Sequence, residues 1–320
     1  MGKSKIVVGV DIGGTNTKMG FVTEQGECLN ETRFKTQNYP QPEKFFNHLI
    51  KKINEGYTKL KKDYNLIGIG IGAPNGNYYR KTIENPPNLP WGMVNVDKIL
   101  KKSFDVRVAL TNDANAAAIG EQFFGSGKGM KDFIMITLGT GLGSGIIVNG
   151  KLVHGYDGFA GELGHINYER NGRQCTCGLK GCLEAYASGS GIVRTAKELL
   201  IQPSVKSNLR KYSDKSLTSE LIYKEASKGD IIALQCFELT GKALGSMLAD
   251  AVAVTNPEAI FLFGGLAKAG DLIIKPTKKY LKENLFTPFK GKVKVLQSGL
   301  TNVSAAVLGS AALILEELKD

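Results

Sequence analysis

Three cysteines and one histidine are spaced as the ligands of a single metal ion. Nine residues separate His165 from Cys175, and Cys177 and Cys182 follow within the next seven positions. Three thiolates and one imidazole suit a tetrahedral Zn²⁺ ion, and four protein ligands are typical of a closed structural site. A disulfide between Cys175 and Cys177 would be strained, and three unused thiols are the remaining alternative. The spacing therefore predicts a structural zinc site.

Two glycine-rich turns are candidates for binding phosphate. Asp11-Ile12-Gly13-Gly14-Thr15 follows a predicted strand, and a second turn with Thr140 and Gly141 follows another. Glycines let backbone N–H groups reach phosphate oxygens, and threonine hydroxyls can add hydrogen bonds. Asp11 could hold the water shell of a Mg²⁺ ion. Either turn alone could equally be a plain β-hairpin, but their equivalent places in the two halves of the chain favour a pair of phosphate sites.

Two other nucleotide-binding motifs do not fit the sequence. A P-loop needs Gly-Lys followed by Ser or Thr, whereas Gly127-Lys128-Gly129 ends in glycine. The segment Gly68–Ala73 matches the spacing of a dinucleotide fingerprint, but Pro74 follows it with a turn where that fingerprint requires a helix. The paired turns therefore remain the candidates.

One acidic residue stands where a predicted strand ends and a helix begins. The segment Asn112-Asp113-Ala114-Asn115 is, by itself, typical of a helix N-cap, because Asn and Asp side chains accept hydrogen bonds from the first backbone N–H groups. Phosphoryl transfer to a sugar also requires a carboxylate that accepts the hydroxyl proton. By spacing alone the segment is predicted to be a helix cap.

At these positions the chain resembles a known superfamily. The two phosphate turns, with Phe261–Leu266 as the adenosine-side loop, look like those of the sugar kinase, actin and Hsp70 ATPases. The Asn112–Asn115 segment and the His/Cys spacing narrow the resemblance to the ROK family of bacterial sugar kinases and sugar-responsive repressors, from Val7 to the C-terminal helix. The resemblance implies an α/β fold of the two-lobed actin-like ATPase (ribonuclease H-like) type, with the active site in the interdomain cleft.

The resemblance also implies roles for individual residues. Asp113 would be the catalytic base. The sugar would be bound by Asn112, Glu162, His165 and Glu184, with Asn77 and Asn88 as further candidates. The nucleotide and its phosphates would lie against Asp11, Gly13, Gly14, Thr15, Thr140, Gly141, Gly264 and Gly265. The implied cofactors are ATP, Mg²⁺ carried with the nucleotide, and a structural Zn²⁺ that orders the shared ligand His165.

Strand and helix signals predict how these residues are positioned. Strands are predicted at 6–10, 18–22, 27–36, 66–71, 106–111, within 133–153 on either side of the second glycine turn, and at 259–265 and 292–298. Helices are predicted at 42–60, 94–102, from 112 onward, at 189–202, 218–229 and 230–255, and from Val303 to Leu318. By the resemblance the last helix returns to the N-terminal half. The predicted domains are a small lobe of residues 1–112 plus 303–320 and a large lobe of residues 113–302.

Composition excludes several classes of protein. Lys and Arg number 41 against 30 for Asp and Glu, but no block of five like charges occurs, so nucleic-acid binding is not indicated. The long uncharged stretch 133–150 holds five glycines and is predicted to form two strands, not a membrane helix. The first apolar run ends at Asp11, too short for a signal peptide, and Cys28 and Cys236 lie outside the metal motif. We expect a soluble, cytoplasmic protein.

The implied function is ATP-dependent phosphorylation of a hexose at its 6-hydroxyl, most simply of glucose to glucose 6-phosphate. Kinases for N-acetylglucosamine, N-acetylmannosamine or fructose are alternatives, because the motifs do not read the substituent on C2. A ROK-type transcriptional regulator is disfavoured, since ten residues before Asp11 are too few for a DNA-binding domain. An actin-like or Hsp70-like ATPase without a sugar is disfavoured by the sugar and zinc motifs. The expected partners are sugar and ATP, in a homodimer or homotetramer by analogy.

Overall fold

The chain folds into two units, each built on its own five-stranded sheet. The computed structural model describes residues 2–300 and 305–319. The first unit comprises Met1–Met130, Leu152–Gly161 and Gly299–Asp320, and the second comprises Lys131–Lys151 and Glu162–Ser298. The strands are β1 (Ser4–Ile12), β2 (Asn16–Thr23), β3 (Cys28–Lys35), β4 (Tyr64–Gly72), β5 (Gly76–Asn77), β6 (Thr82–Glu84), β7 (Met93–Asn95), β8 (Arg107–Thr111), β9 (Phe133–Leu138), β10 (Leu142–Val148), β11 (Lys151–Leu152), β12 (Ala259–Phe263) and β13 (Lys294–Gln297). The helices are α1 (Pro42–Leu60), α2 (Val96–Leu100), α3 (Asp113–Phe124), α4 (Gly189–Leu200), α5 (Ser219–Ala226), α6 (Ile231–Thr255), α7 (Asp271–Asn284) and α8 (Ala305–Glu317).

The two sheets share one arrangement of strands. In the first unit the order is β3-β2-β1-β4-β8, with β1–β3 antiparallel and β1, β4 and β8 parallel. In the second unit the order is β11-β10-β9-β12-β13, with a β9–β10 hairpin followed by parallel β12 and β13. Each sheet therefore begins with a glycine-turned hairpin and continues with parallel strands, whose carboxyl ends meet at one edge.

The apolar run of β1 is explained by helices on both faces of the first sheet. The even positions Ile6 to Ile12 belong to a cluster that includes Phe45, Phe46 and Leu49 of α1. The opposite face lies against α8, because a Cβ added at Gly9 would clash with the carbonyl oxygen of Val307. A strand that is buried on both faces reads as a continuous apolar run instead of an alternating one.

Glycines permit α8 to lie directly on the main chain of the sheet. A Cβ at Gly70 of β4 would clash with the carbonyl oxygen of Ser310, much as one at Gly9 would clash further along the helix. On its other side α8 meets α3, where a Cβ at Gly309 would come within 2.5 Å of the Ala116 carbonyl oxygen and one at Gly120 within 2.7 Å of the Gly309 Cα. The sheet, α8 and α3 are therefore stacked at backbone contact.

The observed division of the chain differs from the predicted lobes. Residues 113–130, predicted for the large lobe, group with the first unit because α3 packs against α8. The segments Leu152–Gly161 and from Gly299 onward also group with the first unit. Val303, which the amphipathic pattern places in the last helix, lies outside the described residues.

Most predicted elements are confirmed, and one helix is shorter than predicted. The predicted helix 94–102 is divided, because Met93–Asn95 forms β7 and only Val96–Leu100 is helical. Asn95 caps this short helix by accepting a hydrogen bond from the Lys98 N–H at 2.8 Å. The segment before it, for which no element is predicted, contributes β5 and β6, which form a small sheet with β7. Strands of two or three residues carry too little alternation to be recognised.

The second unit is built around α6. By length and hydropathy α6 is the described helix that could cross a membrane, yet 56% of its apolar window is buried within the protein. Gly241 and Gly245 admit α7 at close range, since a Cβ at Gly241 would come within 2.6 Å of the Pro276 ring. This is the pattern of a helix at the centre of a protein core.

We predict that Gly70→Ala destabilises the protein by about 2–3 kcal/mol, because the added methyl group must displace α8 from the sheet. Gly92→Ala is the matched control, since an added Cβ there has no neighbour within 4 Å. Urea unfolding of both variants measures the difference. Equal midpoints for the two variants would contradict the backbone contact.

Candidate active site

Two carboxylates meet at the carboxyl edge of the first sheet. Asp11 lies near the end of β1 and is in register with Gly72 of β4, which is in turn in register with Thr111 of β8. Asp113 follows as the first residue of α3. A Cβ at Gly72 would lie 3.6 Å from the Asp113 Cα. The bare glycine between the two acidic residues thus keeps this edge of the sheet open.

The surroundings of both carboxylates favour the protonated form. Burial, followed by the charge of Asp113, raises the pKa of Asp11 to about 7, and Lys18 opposes this shift. Lys18 lies directly across the β1–β2 ladder from Asp11. Asp113 retains accessible surface, but the surrounding protein desolvates its carboxyl group and raises its pKa. The Ala114 N–H, which donates to Oδ1 at 3.0 Å, opposes this shift by lowering the pKa. A carboxylate with a raised pKa is suited to take up a proton near neutral pH.

Asn112 is a helix cap in the structure. Its Oδ1 accepts a hydrogen bond from the Asn115 N–H at 2.7 Å and so satisfies the first turn of α3. The helix N-cap that the sequence predicts at this position is therefore confirmed. Its predicted role as a sugar ligand would use the amide nitrogen and stays a prediction.

The first glycine turn presents two backbone N–H groups. Gly13 donates to the Asn16 carbonyl oxygen at 3.0 Å, which closes the turn. The N–H groups of Gly14 and Thr15 have no acceptor among the described residues. Asn88 lies on this turn, since a Cβ at Gly14 would come within 2.6 Å of the Asn88 Cβ. The turn therefore has the free donors that a phosphate group needs.

Asn77 has a structural task. It is fully buried, its Nδ2 donates to the Asp157 carbonyl oxygen at 2.6 Å, and its Oδ1 accepts from the Arg80 N–H at 3.0 Å. The loop around Gly158 packs on this amide, where a Cβ would come within 3.1 Å. Because Asn77 has no exposed surface, its burial and these contacts favour a role in holding the loop.

The second glycine turn is tied down through its carbonyl groups. The Gly139 and Thr140 carbonyl oxygens accept hydrogen bonds from the Gly189 and Ser190 N–H groups at 2.8 and 3.1 Å, at the start of α4. In the described part of the chain, the N–H groups of Thr140 and Gly141 have no acceptor. The two turns thus resemble each other in their hydrogen bonding as well as in their place in the sheet, because each leaves a pair of adjacent N–H donors open.

Glu184 links the second turn to the cysteine motif. Its Oε2 accepts a hydrogen bond from the Leu142 N–H at 2.8 Å, and its Oε1 accepts one from the Thr176 hydroxyl at 3.3 Å. The carboxylate occupies the space that a side chain at Gly141 would fill. Glu162, by contrast, is exposed, immediately before the 3-10 turn Leu163–His165.

The four predicted metal ligands come together. One ligand atom from each of His165, Cys175, Cys177 and Cys182 lies within 4.8 Å of all the others. The Cys177 and Cys182 sulfurs are 3.6 Å apart, and the Cys175 sulfur is 3.9 Å from the His165 Nδ1. An edge of a zinc tetrahedron with Zn–S bonds of about 2.3 Å is about 3.8 Å long, so the residues fit this ion. All the cysteines are free thiols, which excludes the alternative disulfide in this structure.

The third glycine pair lies beside a cavity of the second unit. Gly264 has φ +101° and ends β12 close to β9, where a Cβ would come within 2.6 Å of the Leu138 carbonyl oxygen. Gly265 lines a cavity of about 310 Å³. Its other lining residues are Ser219, Glu220, Tyr223, Leu266, Lys268 and Ala269. The residues from α5 were missed from the sequence, because only the fold brings α5 to this loop.

Comparison with known proteins identifies the family. The model of the ROK family matches residues 7–317. The chain belongs to the ROK family. A glucokinase of Halalkalibacterium halodurans is 38% identical over 86% of this chain and 84% of its own length. The crystal structure of a ROK family glucokinase from Streptomyces griseus, in complex with glucose and AMPPNP, is 33% identical over 96% of this chain and 98% of that chain, with a TM-score of 0.80.

The ROK comparisons confirm the expected fold and include a regulator. The two-lobed actin-like ATPase fold predicted from the motifs is the fold of these neighbours. The xylose repressor of Bacillus subtilis is 27% identical over 99% of this ROK chain and 79% of its own length. The family therefore contains both kinases and repressors that share this part of the chain.

We predict that Asp11→Asn stabilises this ROK protein in the absence of nucleotide, and more at pH 8 than at pH 5. The folded state raises the pKa of Asp11 to about 7, and the protonated carboxyl group is the form that the folded state favours. The free energy of unfolding therefore falls as the pH rises through that value and the proton is lost. Removing the charge should recover up to about 4 kcal/mol at pH 8. Urea unfolding at both pH values tests this, with Asp63→Asn as the exposed control. A gain that is independent of pH would be evidence against the raised pKa.

Proposed function

We propose that this ROK protein is a glucokinase, which transfers the γ-phosphoryl group of ATP to the 6-hydroxyl of glucose. Glucokinases are 33–38% identical to it over most of its length. The observation that carries the proposal is the pair of glycine turns with open N–H donors, together with a carboxylate of raised pKa at Asp113. These are the groups that phosphoryl transfer to an alcohol requires.

In the proposed reaction the 6-hydroxyl oxygen attacks the γ-phosphorus, and the bond from that phosphorus to the ADP oxygen breaks. The hydroxyl proton passes to the Asp113 carboxylate. The raised pKa makes this carboxylate a better proton acceptor than a carboxylate of ordinary pKa. The N–H groups of Gly14, Thr15, Thr140 and Gly141 would hold phosphate oxygens, since amide donors aimed at developing charge need no rearrangement during the step.

Asp11 would hold the water shell of Mg²⁺ bound to the nucleotide. A single carboxylate with intervening waters suits this ion, which keeps much of its hydration shell in proteins. When bound, Mg²⁺ neutralises charge on the phosphate groups. The same charge would favour the ionised form of Asp11, whose pKa in the free protein is about 7.

The proposed sugar ligands are Asn112, Asn88, Glu162, His165 and Glu184, with Asn77 assigned by its contacts to loop support. Carboxylates suit this task because each can accept two hydroxyl hydrogen bonds. None of these residue types identifies the substituent on C2, which a pocket recognises by shape. N-acetylglucosamine, N-acetylmannosamine and fructose therefore remain alternative substrates to be assayed alongside glucose.

We also propose that His165, Cys175, Cys177 and Cys182 bind a structural Zn²⁺ ion. A fourth protein ligand leaves no open position for water, so the ion would serve to order His165. Burial, with the neighbouring cysteines, raises the pKa of Cys182 to about 12. Metal binding must displace that proton and should therefore weaken as the pH falls.

The alternative from another class is a sugar-responsive regulator like the xylose repressor. It is favoured by the 27% identity with that protein. The open N–H pairs and Asp113 favour a working kinase, because a repressor needs no proton acceptor. For the kinase we expect a cytoplasmic location, a homodimer or homotetramer, and no nucleic acid or membrane partner.

We predict that Asp113→Asn lowers sugar-dependent ADP formation by about 10²–10⁴-fold, because the proton acceptor is lost. ADP release with MgATP is measured against glucose, N-acetylglucosamine, N-acetylmannosamine, mannose, allose and fructose. Asp105→Asn, a change at an exposed aspartate of the same unit, should leave the rate unchanged. AMPPNP binding should persist in both variants, since the amide keeps the shape of the carboxylate.

The result also discriminates between the alternatives. Near-normal turnover of Asp113→Asn would remove this residue as the base. A larger response to an N-acetylhexosamine would keep the mechanism and change the substrate. The absence of ADP formation with any hexose, from folded protein loaded with metal, would contradict the kinase and leave the regulator.

We predict about one zinc ion per chain in the purified protein, and its loss in Cys177→Ser, because a hydroxyl is a poor ligand in place of a thiolate. Metal analysis by mass spectrometry measures both. Cys28→Ser, which alters a cysteine outside the cluster, should keep the metal. A metal-free wild-type protein with full activity would show that the cluster is not a zinc site.

A further inference from the structure

We propose that Glu184 is a positioning residue that links the metal cluster to the second phosphate turn, so that an ion in the cluster tightens nucleotide binding. The inference rests on the proposed function for the identity of the ligand. It assigns Glu184 a task separate from sugar binding, because the carboxylate already contacts the turn in the structure.

The contact with the turn is specific. Glu184 Oε2 accepts the Leu142 N–H at 2.8 Å, directly after the open donors of Thr140 and Gly141. A side chain at Gly141 would collide with this carboxylate, and all three of the nearest atoms belong to Glu184. The glycine at 141 is therefore explained by the approach of Glu184 and not by phosphate alone.

Glu184 and the other hydrogen-bond partners of the second turn hold different ends of it. Hydrogen bonds from Gly189 and Ser190 hold the carbonyl groups of Gly139 and Thr140, on the amino-terminal side of the turn. Glu184 holds Leu142, on its carboxyl-terminal side. The open N–H groups lie between these two anchors, so their direction depends on both. The Gly139 N–H also closes the turn by donating to the Gly141 carbonyl oxygen at 3.0 Å, and Leu142 pairs with Leu138, so loss of Glu184 would loosen one end of the turn.

The cluster determines where the Glu184 carboxylate lies. Glu184 belongs to the 3-10 turn Leu183–Ala185, which starts directly after the ligand Cys182. Its Oε1 accepts the hydroxyl of Thr176, which stands between the ligands Cys175 and Cys177, and lies 3.7 Å from the Cys175 sulfur. An ion bound by these cysteines would fix the positions of the Thr176 hydroxyl and the Cys175 sulfur, the two groups that contact the carboxylate. Without the ion, backbone hydrogen bonds such as that from the Cys175 N–H to the Leu179 carbonyl oxygen at 2.8 Å still shape this loop, and the free thiols add only weaker contacts.

The test measures AMPPNP binding by calorimetry without any sugar. We expect Glu184→Ala to weaken binding by about tenfold or more, as for the loss of a hydrogen bond to a charged group. Glu184→Gln should recover most of the affinity, because its amide oxygen can still accept the Leu142 N–H. Glu169→Gln, at another carboxylate close to the cysteine motif, is the matched control and should bind as the wild type does.

A double-mutant cycle isolates the contact. Gly141→Ala should weaken AMPPNP binding in the wild type, where the methyl group meets Glu184. In the Glu184→Ala background it should have little further effect, because the atoms that it would meet are gone. Additive losses in the double variant would overturn the proposed contact.

Removal of the metal by a chelator provides a second test. Affinity for AMPPNP should fall in the wild type and should change little in Glu184→Ala, whose turn is already released. Hydrogen exchange of the peptide that spans residues 139–142 should accelerate in both the metal-free wild type and Glu184→Ala. This exchange needs no ligand.

The outcomes separate the inference from the proposed function. Wild-type affinity in Glu184→Ala, with unchanged exchange at 139–142, would overturn the inference even if ADP assays confirm a kinase. If no hexose supports ADP formation but the exchange responds as expected, the proposed function fails and the link between cluster and turn stands. If the wild type does not bind AMPPNP, the exchange alone decides.

Discussion

The first unit depends on contact between the main chain of α8 and the main chain of the sheet. Gly9 and Gly70 remove the side chains that would hold the helix away, and Gly309 and Gly120 do the same between α8 and α3. The position of α3 is thus determined by two successive backbone contacts. Because Asp113 is the first residue of α3, these contacts also place it beside the end of β1, where Asp11 lies.

The same principle governs the second phosphate turn, with a different partner. Here glycine admits a carboxylate in place of a helix, since Glu184 fills the space beside Gly141 and accepts the Leu142 N–H. Carbonyl groups of the turn point to the start of α4 and are satisfied there. The carbonyl groups of the turn are thus satisfied within the protein, whereas the N–H groups of Thr140 and Gly141 have no described acceptor. These two donors are available to a ligand.

Function and stability are opposed at the carboxylate pair. Burial of Asp11, followed by the charge of the nearby Asp113, raises the pKa of Asp11, which costs folding free energy at the pH where a kinase would work. Lys18 offsets part of this cost from across the β1–β2 ladder. A bound cation on the nucleotide would offset more, so the site is more stable when it is occupied.

The His/Cys cluster and the two glycine turns could be predicted from the sequence, because each is a short local pattern whose residue types and spacing favour one chemistry over its alternatives. The His165 and cysteine spacing already indicated four ligands, and the cluster agrees. The contacts of Asn77, the position of Lys18 opposite Asp11 and the α5 side of the cavity at Gly265 could not be read, since strand register and helix packing join residues far apart in the chain. Glu184 is an example of a residue that the sequence identifies but whose contacts it does not predict. Its place two residues after Cys182 is local and let the family resemblance assign it a role, but only the folded chain brings its carboxylate to a backbone N–H that lies 42 residues earlier.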